Sequence, residues 1–557
     1  MDATPAALDE FIFVSNPILQ RELVSTLRAS RSAWTLSTVA ALLATLTLLL
    51  WPAGGIYSLG EQAAHTLLST IAVGGLLLAL LIAPAFTATC LTSEKENASY
   101  DLLTHTLLRP GQIARGKILS SQCFLLLLVL STLPALGATL FLGGTGPGQI
   151  LNILGVIAAA TVATGLIGFA MSAWHRESFS ALVITYILMF AWMILPLLPI
   201  ILLPKMVTQI PILGTIAWAS PLAVMLGLVE PGLFARFALP ISSQKMLVVY
   251  FSTCATLIVL GQILGTIRML FPTSTHRSRS ATLKKRGFPY MLLDPDRRKS
   301  LIGNWTNVIL AKELRSKTFG RATWMIRSMY ATFSLSILLV ILILRGGDTL
   351  HLDVLKLVMI GFQVLVVTLI APALLASAFT QEVEQRQFDL LRQTPISPHA
   401  FLFGKAVSAW LLVILLLISA APMWWMMNHL ENYQWQSTLV GISVVSATLL
   451  LASSITLNTT LLARTTAASS AMAYALISLL IFGTLLPLLM GAGLSAQWRT
   501  AILSWNPFAA GLQAMSSEFL KGDPVLWKPF LSRTLIASIL LFAVAWGLMW
   551  NKLRRES

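Results

Sequence analysis

Charge is scarce in this sequence. Only 11% of its 557 residues are Asp, Glu, Lys or Arg, while 56% are hydrophobic; a soluble globular chain carries about 25% charged residues. That shortage excludes a soluble fold, because water-soluble cores cannot hide so much apolar surface, and makes a bilayer the natural solvent. Cysteine is equally sparse. Cys90, Cys123 and Cys254 sit in or beside apolar runs at unrelated spacings, which points away from a disulfide framework or a thiolate metal site. The seven histidines are scattered, so no metal site is expected. There is no Gly-x4-Gly-Lys-Ser/Thr loop, so the chain has no phosphate cradle of that type. A cleavable signal is not expected either. Residues Met1 to Trp34 are polar or amphipathic, and the first apolar run begins only at Thr35.

What is present is a series of apolar runs. A membrane helix needs about 20 mostly apolar residues. Six stretches qualify in the first half: Thr35–Pro52, Thr66–Leu91, Ile118–Leu142, Ile150–Ala173, Ser178–Leu203 and Met246–Ile267. Six more follow: Ser328–Leu344, Leu357–Thr380, Ala406–Met427, Gln436–Leu462, Thr465–Ala492 and Thr534–Trp550. None has Asp, Glu, Lys, Arg or His in its interior. Membrane-embedded carboxylates mark ion and proton relays, so their absence argues against an ion-coupled transporter and suits an apolar or lipid-like cargo. The expected fold is an all-α polytopic membrane protein of about twelve spans.

Basic residues set the orientation. With the N-terminus inside, 29 of the 38 Lys and Arg fall on the inner side, which the inside-positive bias favours. Both termini are therefore expected in the cytoplasm, in a bacterial inner membrane. The densest basic stretch lies between the halves and includes Arg277, Arg279, Lys284, Lys285, Arg286, Arg297, Arg298 and Lys299. It reads as a solvated cytoplasmic linker, 272–303, with contact to anionic lipid headgroups as the rival reading. No aromatic stacking pattern accompanies the charge, so nucleic acid is not an expected partner. Two outer segments, Pro204–Lys245 and Gly493–Arg533, are partly apolar. Prolines interrupt the first too often for a span, so a re-entrant or surface hairpin is expected, tolerable only if it is buried in protein.

The halves repeat. Leu81-Ile82-Ala83-Pro84-Ala85 recurs as Leu369-Ile370-Ala371-Pro372-Ala373, and across Leu81–Lys117 some 16 of 37 positions match at a constant offset of 288. Such agreement at fixed register marks an internal duplication. Arg176 and Arg464 keep the same offset. Asn16 to Leu23 echoes Asn307 to Leu314, and Trp218-Ala219-Ser220-Pro221 echoes Ser504-Trp505-Asn506-Pro507. The chain thus divides into a first module, 1–271, the linker, and a second module, 304–557. Each has an interfacial helix and six spans; an even number gives both modules the same orientation, a parallel repeat.

The best-matched stretch is polar and lies between the second and third spans. Both copies read Glu-x-Glu-x4-Asp-Leu-Leu-x2-Thr: Glu94, Glu96, Asp101, Leu102 and Leu103, then Glu382, Glu384, Asp389, Leu390 and Leu391. A span need only stay apolar, so a polar loop held at register has a specific task. Glu94 and Asp101 share a helical face, which predicts one short acidic helix. Catalytic acids would need a His, Ser or Cys partner, and none is repeated beside them. Metal ligands would need a third donor and a turn glycine. A docking surface needs only charge complementarity and apolar anchors, which the paired leucines supply. The plainer reading is a set of helix caps and ion pairs at the bilayer surface. Before each first span, Leu19, Leu23 and Leu27 recur every four residues, and Leu310 and Leu314 repeat the idea. These read as helices lying in the inner interface, carrying Arg21 and Glu22 or Lys312 and Glu313.

The run from Glu382 through Thr394-Pro395 to Gly404-Lys405 resembles the segment between the second and third spans of ABC type-2 transporter permeases, and its duplication strengthens the likeness. The first copy departs at Leu107, where the second has Pro395. The resemblance implies a permease that is not itself an enzyme. It implies coupling helices at Glu94–Leu103 and Glu382–Leu391 that contact two separate ATP-binding cassette subunits, which hold the ATP and Mg. It makes the interfacial helices further ATPase contacts, and nucleotide-driven closure would push the acidic helices and switch access. The rival classes are an ion-coupled secondary transporter and a membrane enzyme or assembly scaffold.

Overall fold

The computed structural model describes residues 16–28, 30–51, 61–96, 100, 110–143, 145–202, 211–230, 243–270, 307–315, 322–345, 352–384, 386–394, 396–430, 435–488, 495–515 and 525–554. All regular structure among them is helical. The principal helices of the first half are α1 (Pro17–Arg28), α2 (Ser30–Leu49), α3 (Glu61–Thr87), α4 (Thr92–Glu96), α5 (Pro110–Leu130), α6 (Pro147–Trp174), α7 (Ser178–Ile194), α8 (Pro221–Val229) and α9 (Ser243–Leu270). Those of the second are α10 (Val308–Arg315), α11 (Ala322–Arg345), α12 (Leu352–Leu375), α13 (Thr380–Glu384), α14 (Phe388–Arg392), α15 (Pro398–Ser419), α16 (Trp435–Leu462), α17 (Thr466–Ser478), α18 (Pro507–Ala514) and α19 (Trp527–Arg554).

Eleven helices among the described residues are long and apolar enough to cross a membrane, so the chain is an all-α multi-pass membrane protein. They account for eleven of the expected spans. The remaining one, Ser328–Leu344, lies on α11, whose described apolar stretch Met329–Leu338 is shorter. The chain divides into two compact units, Met1–Thr273 with Leu486–Arg499, and Ser274–Leu485 with Thr500–Ser557. The basic linker 272–303 lies outside the described residues.

Proline shapes the spans in matched places. Pro84 lies inside α3 and Pro372 inside α12. Without an N–H it interrupts the helical ladder, and a tyrosine from another helix bonds the turn before it. Tyr186 Oη donates to the Leu81 carbonyl and Tyr474 Oη to the Leu369 carbonyl, each at 2.7 Å. Each third span is broken by one or two residues, after which a new helix starts, Leu133–Phe141 and Ala421–Leu430, with Pro134 and Pro422 at its beginning. Proline is tolerated there because a first-turn N–H has no helical acceptor.

The described parts of the outer segments include two short helices packed inside protein, α8 and α18. In α8, Ala223, Val224 and Met225 are fully buried. Ser220 caps α8 by accepting from the Ala223 N–H while its Oγ donates to the Met193 carbonyl at 2.6 Å. In the second half Asn506 caps α18 and donates through Nδ2 to the Ile481 carbonyl and to Thr484 Oγ1, each at 2.7 Å. The repeated Ser-Pro and Asn-Pro pairs are thus helix starts tied to the preceding span.

Both interfacial helices begin the same way. Asn16 Oδ1 accepts from the Ile18 N–H at 3.1 Å, and its Nδ2 donates to the Gln112 carbonyl at 2.8 Å. Asn307 repeats this with the Ile309 N–H at 3.0 Å and the Ala400 carbonyl at 2.7 Å. One side chain therefore caps the interfacial helix and fastens it to the start of the third span. Where the two helices cross, glycine is required. A Cβ on Gly404 would lie 2.8 Å from Ile309 Cβ and 3.0 Å from the Leu310 backbone nitrogen, and one on Gly116 would lie 3.0 Å from Ile18 Cγ2.

Replacing Gly404 with valine should push α10 off α15 and cost about 1–3 kcal/mol, the range for overpacking. The check is the thermal unfolding midpoint in detergent. Gly547→Ala, whose added carbon meets nothing within 4 Å, should leave the midpoint unchanged.

Candidate functional site

In the second copy the repeated carboxylates do not stand on one acidic helix. In the second half two five-residue helices, α13 and α14, take the place of the expected continuous one. They are separated at Arg386, whose φ of 55° lies in the left-handed region that ends a helix. In the first half α4 carries Glu94 and Glu96, while Asp101, Leu102 and Leu103 lie outside the described residues.

The first glutamate of each copy joins a group of four charges. Lys117 Nζ lies 2.6 Å from Glu94 Oε1 and 3.5 Å from Glu22 Oε1. Arg21 Nη2 lies 2.6 Å from Glu22 Oε1 and 3.7 Å from Glu94 Oε1. In the second half Lys405 Nζ lies 2.6 Å from Glu313 Oε1 and 3.0 Å from Glu382 Oε1, and Lys312 Nζ lies 2.8 Å from Glu382 Oε1. Each quartet sums to zero net charge. The two central lysines are 4% and 9% exposed at their side chains, and Glu382 is 7% exposed. Burying such ions costs several kcal/mol each unless the partners are close and complete. The quartet is a tertiary device. Glu22 and Glu313 differ in number by 291 and Glu94 and Glu382 by 288, so the intervening chain is three residues shorter in the second half and the ions still meet.

The second glutamate of each copy caps a helix from a distance. Glu96 accepts from the Ser178 N–H at 2.6 Å and from Ser178 Oγ at 2.7 Å. Glu384 accepts from the Thr466 N–H at 2.8 Å and from Thr466 Oγ1 at 2.7 Å. A carboxylate is favoured there because the first N–H groups of α7 and α17 have no helical acceptor and the helix dipole is positive. A hydroxyl completes the arrangement. Ser172 Oγ accepts from the Leu91 and Thr92 N–H groups, and Thr460 Oγ1 accepts from those of Phe379 and Thr380.

The four glutamates are thus engaged within their own unit, Glu382 buried, Glu94 half-buried, and Glu96 and Glu384 exposed. Arg21, Glu22, Lys312 and Glu313 share the same quartets, although Arg21 and Lys312 remain 63% and 43% exposed. The leucines divide. Leu391 and Phe388 pack on the apolar cluster around Ile309, Phe379 and Phe401, while Leu390 is 65% exposed. Phe388 meets Phe379 edge-on at 4.9 Å. Asp389 lies in α14, and its side chain is outside the described residues.

Lys95 breaks the symmetry. Its ammonium donates to the carbonyls of Ser172, Ala173 and His175 at 2.7–2.9 Å, closing the C-terminus of α6. At the matching place stands Val383, which is exposed. Ser172, Thr460, Ser178, Thr466, Tyr186 and Tyr474 were not singled out in the sequence. All keep the offset of 288, so extending the register test to Ser/Thr pairs and single tyrosines inside the spans finds them.

Among the described residues no three His, Cys, Asp or Glu come together as a metal site. The arrangement holds a surface segment rigidly against the interfacial helix and the third and fifth spans, so its capability is mechanical. No family model matches the chain. No curated protein matches it.

Lys405→Met should leave Glu313 and Glu382 facing each other and cost about 3–5 kcal/mol. Adding Glu382→Gln should restore part of that loss, as a double-mutant cycle of thermal midpoints would read. Burial pushes the Glu22 carboxyl up, but Arg21 and Lys117 outweigh it and hold it below its ordinary value of 4.5. A lowered carboxylate stabilises the fold above its unfolded value, and that contribution disappears as pH falls through the folded one. Stability should therefore drop on acidification below pH 4.5, and Glu22→Gln should flatten that slope.

Proposed function

We propose that this chain is the membrane permease subunit of an ATP-binding-cassette transporter. It exports an apolar or lipid-like substrate across a bacterial inner membrane, with both termini in the cytoplasm. It is not the enzyme of the system: two separate ATPase subunits bind ATP and Mg, and they dock on the segments after the second span of each module.

The observation that carries this reading is the fastening of the α13–α14 segment. It is tied to α10 and α15 through the Glu382 quartet, and to α17 through Glu384. A push on that segment is delivered to the interfacial helix and to two spans at once. A force-receiving element needs that property, because energy spent deforming a loose loop would never reach the spans. Leu390 supplies an exposed apolar anchor on the same segment. Docking therefore rests on the apolar tip and the exposed basic ends, Arg21 and Lys312. The glutamates transmit the load. A duplicated, internally braced surface segment on an all-helical multi-pass protein also agrees with the likeness to type-2 permeases.

Leu390→Glu separates contact from bracing, since it touches no part of the quartet. It should reduce co-purification of an ATP-hydrolysing subunit at least about tenfold, the loss of one apolar hot spot, while the thermal midpoint stays put. Undiminished co-purification of that subunit would contradict the assignment of this segment as the docking site.

A further inference from the structure

The last helix of the second unit ends in a ladder of rings. Trp546 and Trp550 are one turn apart on α19 with centroids 5.7 Å apart. His399, at the start of α15, stacks on Trp546 at 5.3 Å with 23° between the planes. Arg554, a further turn along, lies over the Trp550 ring at 4.3 Å. A spacing of four places 546, 550 and 554 on one helix face. Both tryptophans are 37% exposed, and His399 and Arg554 are exposed.

These side chains are rich in donors and have nothing to donate to. Among the described residues no acceptor meets the indole N–H of Trp546 or Trp550, the His399 ring or the Arg554 guanidinium, and no carboxylate lies within 4 Å of Arg554. Along the membrane-spanning part of α19 the residues leading to the ladder are apolar and open. Ile536, Ile539, Leu540 and Val544 are 59%, 68%, 61% and 53% exposed. An apolar strip running into a row of unpaired N–H donors with one fixed positive charge is complementary to one kind of molecule. It is an amphiphile with acyl chains and an anionic phosphate. Tryptophan and arginine at the membrane boundary are favoured in general; here they converge with a histidine from a second helix.

The first unit lacks the ladder. With α9 and α19 aligned end to end, Gln262, Thr266 and Leu270 stand where Trp546, Trp550 and Arg554 do. His399 is matched at the offset of 288 by Gly111. The exposed tryptophan on that side, Trp174, already donates its Nε1–H to the Leu264 carbonyl at 3.4 Å.

We infer that His399, Trp546, Trp550 and Arg554 form a site for one phospholipid. Its phosphodiester accepts from the guanidinium and the ring N–H groups, and its acyl chains lie along the apolar face of α19. The site belongs to the second unit alone and sits at the end of α15 that also carries the Lys405 quartet. A free phosphate would use the donors but not the strip, so the lipid is the occupant.

The test uses the full chain in phosphatidylcholine vesicles doped with a photoactivatable phosphatidylglycerol, with adducts mapped by peptide mass spectrometry. Adducts should concentrate on the peptides of α19 and the start of α15. They should fall about tenfold in Arg554→Gln/Trp550→Leu, the loss expected of one charge-assisted hydrogen bond. Arg554→Gln alone, at an exposed helix end, serves if the double variant loses its thermal transition. Excess inorganic phosphate should leave labelling unchanged. Equal labelling of wild type and variant, equal labelling of α9, or displacement by inorganic phosphate would each overturn the proposal.

Discussion

Two ammonium groups buried beside four carboxylates set the terms for the rest of this protein. Lys117 and Lys405 are nearly closed off from solvent, and an ion in that position is tolerable only when its counter-ions come to it. The counter-ions arrive from two directions: Glu22 or Glu313 on the interfacial helix, and Glu94 or Glu382 on the segment after the second span. Satisfying the lysine therefore assembles three chain segments that are far apart in sequence. The glycine before each lysine permits the close approach. Gly116 and Gly404 leave room for Ile18 and Ile309, so the interfacial helix lies near enough for its glutamate to reach.

Around this ionic centre, other bonds turn a loop into a brace. Glu96 and Glu384 cap the fifth span, and Ser172 and Thr460 hold the start of the segment against the fourth. Tyr100 and Phe388, at the same offset, pack on the apolar clusters of their own units. In the first unit Lys95 adds three bonds to the end of α6, whereas Val383 in the second is open to its surroundings. The two braces are thus alike in design and unequal in fastening. Both are tied to the fourth and fifth spans, but only the first has a lysine closing the end of the fourth.

The duplication was legible because it keeps register. The offset of 288 carries glycine, lysine, both glutamates and the in-helix proline, each of which has a structural task that only its own residue type performs. The role of the glutamates was less legible. Glu-x-Glu…Asp reads as an exposed acidic face when nothing indicates where Lys117, Lys405 or Arg21 lie in space. A lysine 23 residues from its partner glutamate and 92 from the other leaves no local periodicity to detect. The continuous acidic helix failed for a local reason: Arg386 takes a left-handed conformation, and nothing in Gln385-Arg386-Gln387 announces it, since neither Gly nor Asn is present.

Composition and hydropathy by themselves determined that this is an all-helical membrane protein and where most of its spans run. Those properties follow from the cost of placing backbone and charge in hydrocarbon, which acts on each segment separately and so is written locally. Only the tertiary structure decided which charges neutralise which, and that each repeated glutamate bonds within its own unit. It also decided that a histidine from one helix and two tryptophans from another stand in one row. Each of these depends on distances between segments the chain brings together from far apart, and Coulomb and hydrogen-bond energies respond to those distances alone.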